Sequence, residues 1–126
     1  MRPLLGFMLF IHSFRYAARG VAVTFRRPRN AWLAALTAIV IGSAGFSLGI
    51  STTEWCLVVL AYAGVWAAES FNTALELLAD SVTTELHPLI GHAKDAAAGA
   101  VLIATVGSII IALLVFGPYL LALAGN

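Results

Sequence analysis

Glu69, Asn72, Thr73, Glu76 and Asp80 fall within ESFNTALELLAD, directly after the uncharged stretch WCLVVLAYAGVWAA. At helical spacing these five residues share an arc of roughly 100°. Ala, Leu and Phe fill most of the remaining circumference. Carboxylates and an amide placed this way can accept a proton, hold Mg²⁺ or coordinate transported ions. A carboxylate inside a membrane span costs at least ~2.5 kcal/mol on insertion scales. A helix end emerging into water explains Asp80 well, Glu76 less well and the deep Glu69 poorly. The arc is therefore a candidate functional stripe.

A second set follows in ELHPLIGHAKD, which holds Glu85, His87, His92, Lys94 and Asp95. Pro88 suits the first turn of a helix, and a helix N-terminus favours anions. Lys94 could then face a polyphosphate while carboxylates hold its metal. His87 and His92 have poor spacing for zinc, with no cysteine close by. The chain contains no GxxxxGK[ST], HEXXH or GxSxG motif, so P-loop nucleotide binding is excluded.

The elements that must position these residues are helices in a membrane. The chain is 61% hydrophobic and 10% charged, where a soluble domain carries about 25% charged residues. Its 126 residues suffice for one domain. Residues 1–28 are expected to form a surface helix and turn: Phe7, Phe10, Ile11, Phe14, Ala18, Val21 and Phe25 recur at helical spacing over residues 4–25. Pro28 turns the chain at Arg27. Spans are expected at 31–50, 55–80 and 91–117, with STTE and SVTTELHPLIG as polar connectors and Gly117-Pro118 bending or ending the last. The fold class is all-α integral membrane.

Six of the seven basic residues precede residue 30, and all six acids follow it. This asymmetry places the N-terminus and the connector between the second and third spans in the cytoplasm. The Arg-rich stretch after PLLGFMLFI argues against a cleaved leader. Gly45 and Gly49 form a GxxxG pair, and AAAGA opens the third span with small residues; both suit close helix packing. Cys56, alone in an apolar run, reads as inert packing.

ESFNTALELLAD and ELHPLIGHAKDAAAGAVLIA, together with SFRYAARG, resemble the prokaryotic diacylglycerol kinase family, which includes undecaprenol kinases. The resemblance extends from about Ser13 to about Gly107. It implies a homotrimer of three-span subunits in the bacterial inner membrane, with shared active sites, that transfers the γ-phosphate of ATP to a lipid hydroxyl using Mg²⁺. It further implies Glu69 as general base, Asn72 as a polar active-site residue and Glu76 as a metal-binding carboxylate. Asp80, Glu85, His87, Lys94 and Asp95 match nucleotide-pocket positions; Tyr16, Arg19 and Gly20 match the flanking surface helix. FRRPRN departs from the family pattern, because Pro28 stands where a metal-binding glutamate is usual. Two rivals follow: a degenerate member that binds lipid or nucleotide without catalysis, and a transporter coupled through the stripe.

Overall fold

A computed structural model describes the chain from Arg2 to Gly125, with side chains from residue 8 onward. Phe7, part of the expected apolar stripe, has its side chain outside the described set. The described residues form four helices: α1 (Arg2–Phe25), α2 (Pro28–Leu48), α3 (Thr52–Val82) and α4 (Pro88–Ala124). Among them there is no strand. The chain divides into two compact units, Met1–Thr37 and Ala38–Asn126.

In the first unit, residues 8–22 of α1 are all exposed, including Phe10, Phe14, Arg15 and Arg19. The helix ends at Phe25, and Pro28 opens α2 at a position where its missing N–H costs nothing. Two polar residues flanking the turn, Thr24 and Asn30, are buried. Asn30 Nδ2 donates to the Thr24 carbonyl at 3.3 Å, and Thr24 Oγ1 donates to the Gly20 carbonyl at 3.4 Å. Neither residue drew notice in the sequence, because polar residues beside a proline read as solvated.

The second unit holds the end of α2 and all of α3 and α4. Gly49 adopts φ +64°, the left-handed conformation that suits glycine just past a helix end. Ile50 N–H returns to the Gly45 carbonyl at 3.2 Å and closes the helix. Gly45 and Gly49 thus do different jobs. A Cβ on Gly45 would lie 2.6 Å from the Trp55 ring, whereas one on Gly49 would meet nothing within 4 Å. Of the pair, only Gly45 is a packing glycine. Ile50, Val58 and Val115 form the buried cluster, with Ile41, Trp55, Ile111, Phe116 and Tyr119 packed against it.

STTE is a helix start rather than a connector. Ser51 caps α3: its Oγ accepts from Glu54 N–H at 3.3 Å, and its own N–H donates to Glu54 Oε2 at 2.7 Å. This is the reciprocal capping box written as Ser-x-x-Glu. Tyr119 Oη donates to the same Glu54 oxygen at 2.8 Å. The expected third span does not end at Gly117-Pro118, since α4 continues through Pro118 to Ala124. Membrane helices tolerate proline where neighbours support the freed backbone, and the Tyr119–Glu54 bond fastens the turn directly after it. Tyr119→Phe should leave the four helices in place but speed amide exchange over residues 119–124; unchanged exchange would show that the bond does not hold this turn.

Three helices, α2, α3 and α4, are long and apolar enough to cross a membrane. At 1.5 Å per residue α3 measures about 46 Å and α4 about 55 Å, against a hydrocarbon core of about 30 Å. The long apolar side chains of these helices are mostly exposed on the single chain, among them Phe46, Leu60, Phe71, Ile103 and Leu114. Cys56 is a free thiol and is exposed on the single chain as well.

Candidate active site

The stripe lies wholly in the second unit, on the half of α3 away from the buried cluster. Burial around the helix follows the expected arc. Asn72 and Thr73 retain 8% and 2% of their accessible surface, while Phe71 between helical turns retains 78%. Glu69 and Glu76 are half-buried, and Asp80, in the last turn, is exposed. The amide of Asn72 donates through Nδ2 to Glu76 Oε1 at 3.1 Å, one turn further on. That bond fixes which way the amide faces, because only its nitrogen can donate to a carboxylate.

Three polar atoms on this face are buried and lack a hydrogen-bond partner among the described residues: Glu69 Oε2, Asn72 Oδ1 and Thr73 Oγ1. Two are acceptors and the third is a hydroxyl. An unsatisfied buried polar group costs about 1–3 kcal/mol. Three of them cluster on neighbouring turns of one helix. Asn30 Oδ1, in the first unit, is also buried without a partner.

The connector shortens to residues 83–87 in the structure. Glu85 N–H donates to Thr83 Oγ1 at 3.0 Å within it. His87 is the N-cap of α4 but makes no side-chain capping bond, and Pro88 occupies the first turn. Glu85, His87, His92 and Asp95 are exposed. Lys94 reaches back across the connector: its Nζ lies 3.1 Å from Asp80 Oδ1. The structure thus joins Asn72 to Glu76 and Asp80 to Lys94. Tyr16, Arg19 and Gly20 belong to the first unit, where the Arg19 guanidinium stands 5.8 Å from the Tyr16 ring centroid.

Among the described residues, no three His, Cys, Asp or Glu side chains gather closely enough to cage a metal. Structural zinc is unsuited to such a surface. Mg²⁺ differs, because it keeps several waters and takes one or two protein carboxylates beside substrate phosphates. A carboxylate oriented by an amide, with further hard oxygen atoms on the same face, fits that requirement.

Comparison with known sequences agrees with the motifs. The family described as prokaryotic diacylglycerol kinase matches residues 15–116. The chain is 42% identical to an undecaprenol kinase of Bacillus subtilis (strain 168) over 111 residues, covering 88% of this chain and 90% of that protein. It is 37% identical to a diacylglycerol kinase of Helicobacter pylori (strain ATCC 700392 / 26695), covering 94% and 89% respectively. A diacylglycerol kinase of Escherichia coli (strain K12) is 30% identical, with 83% of this chain and 86% of that protein aligned. A match over residues 15–116, a range that includes the stripe and the Lys94 segment, shows that this protein belongs to the prokaryotic diacylglycerol kinase family of lipid kinases.

Proposed function

We propose that the chain transfers the γ-phosphate of ATP to the hydroxyl of a membrane lipid, diacylglycerol or undecaprenol, at the cytoplasmic face. One observation carries this reading: Glu69 Oε2, Asn72 Oδ1 and Thr73 Oγ1 are buried, unpartnered and on one helix face. A lipid hydroxyl entering sideways from the bilayer supplies the donor that Glu69 lacks. As its oxygen attacks the γ-phosphorus, the bond to the β-phosphate bridging oxygen breaks and the proton passes to Glu69. Asn72 and Thr73 hold the lipid head through their remaining polar atoms, and Asn72 orients Glu76 through its 3.1 Å bond.

Glu76 would hold Mg²⁺, which neutralises charge on the phosphates when bound. Lys94 provides a point charge for the same phosphates, and Glu85, His87 and Asp95 border the nucleotide. Tyr16, Arg19 and Gly20 serve the same pocket from a surface helix. The apolar exposure of the three long helices, and the open small-residue stretch around Gly99, support a homotrimer with shared sites. The early arginines support a cytoplasmic N-terminus in the inner membrane.

Pro28, which departs from the resembled motif where a metal-binding glutamate is usual, favours one rival, a member that binds lipid and nucleotide without turnover. Incubating the protein in lipid nanodiscs with γ-labelled ATP and Mg²⁺ decides between them. Diacylglycerol and undecaprenol are supplied in parallel, and the lipid extract is separated by chromatography. A labelled phospholipid from either alcohol is the expected result. Nucleotide uptake with no labelled lipid from either would establish the non-catalytic reading.

A further inference from the structure

Lys94 is the only lysine in the chain, and in the structure it is already engaged. Its Nζ sits 3.1 Å from Asp80 Oδ1, joining the last turn of α3 to the second turn of α4 across residues 83–87. The two side chains retain 41% and 67% of their accessible surface. Water therefore screens the pair, and a partner with more charge can take the lysine at little cost. An ammonium is a compact charge on a flexible stem, able to swing between acceptors.

We infer that Asp80 is the resting counter-ion of Lys94 and does not itself contact the phosphoryl donor. Lys94 must leave Asp80 to reach phosphate. The carboxylate therefore sets how much negative charge a ligand needs before it captures the lysine. Polyphosphates meet that requirement more readily than a monophosphate. Asp80 is in this sense a positioning residue. This role rests on the kinase reading and gives Asp80 a duty distinct from that of Glu85, His87 and Asp95.

The test uses the full chain in nanodiscs. ATP, ADP and AMP are titrated by calorimetry into wild type, Asp80→Asn and Asp80→Glu. Asp80→Asn should tighten ATP and ADP about two- to fivefold, the range that exposed ion pairs are worth. AMP, which engages the lysine less, should gain less, widening the ratio between ATP and AMP. Asp80→Glu should restore wild-type behaviour. Because Lys94 is the sole lysine, ¹⁵N-lysine labelling gives one side-chain ammonium signal. In wild type, ATP should move this signal; in Asp80→Asn the ligand-free signal should already have lost its paired position.

Weaker or unchanged ATP binding in Asp80→Asn would overturn the inference while leaving the kinase reading intact. Tightening without any change in the ligand-free lysine signal would also overturn it, since the gain would then reflect general charge removal. A wild-type protein that takes up none of the three nucleotides would overturn both.

Discussion

Glu69→Gln is expected to lower lipid phosphorylation by about 10²- to 10⁴-fold, the range contributed by a positioned general base. Gln keeps the shape of Glu but cannot accept the proton that the lipid hydroxyl must lose. The remainder of the site should survive. Glu69 has no assigned contact with the nucleotide, so nucleotide affinity should stay within about twofold of wild type. Far-ultraviolet circular dichroism should be unchanged. Parallel measurement of turnover and ATP binding separates the outcomes: turnover at the wild-type level would remove Glu69 from the proton transfer.

Gly45→Leu should be the most damaging packing change. A Cβ at Gly45 would sit 2.6 Å from Trp55 Cζ2 and Cη2 and 3.2 Å from Ile50 Cδ1. The Trp55 ring would have to shift, disturbing its contact with Phe46 at 5.0 Å between centroids. Leu adds three further carbons to that clash. Overpacking typically costs about 1–3 kcal/mol, and here it falls on the contact that seats α2 against the start of α3. Gly42 offers the control, since a Cβ there meets nothing within 4 Å. Unfolding in mixed micelles of increasing SDS fraction should show an early transition for Gly45→Leu and a near wild-type one for Gly42→Ala. Equal midpoints for the two variants would mean that the Gly45 contact contributes nothing.

The sequence carried the helical pattern because each span is a long apolar run bounded by proline, glycine or charge. Pro28 and Pro88 both open helices, as proline at a first turn should. The stripe was legible for a related reason: helical periodicity alone puts Asn72 and Thr73 on the protected side and Phe71 on the open one. What escaped depended on contacts between distant positions. Pro118 reads locally as a stop, and its tolerance rests on a membrane setting and on Tyr119, 65 residues from its partner Glu54. STTE was legible as a capping box, yet its polarity suggested a loop. The engagement of Lys94 by Asp80 spans 14 residues and a change of helix, so spacing could only place both near the phosphates. The burial of Thr24 and Asn30 had no signal in composition.

The unbroken course of α3 has a mechanical consequence. The helix is pinned at its start by Ser51, Glu54 and Tyr119, and Glu69 follows Glu54 by about 22 Å of rigid rod. The acids cannot adjust their depth independently of that pin. A thicker bilayer would draw them toward hydrocarbon, and a thinner one would float them into the headgroups. The helix thus works as a gauge, linking the site's chemistry to the acyl-chain length of the surrounding lipids.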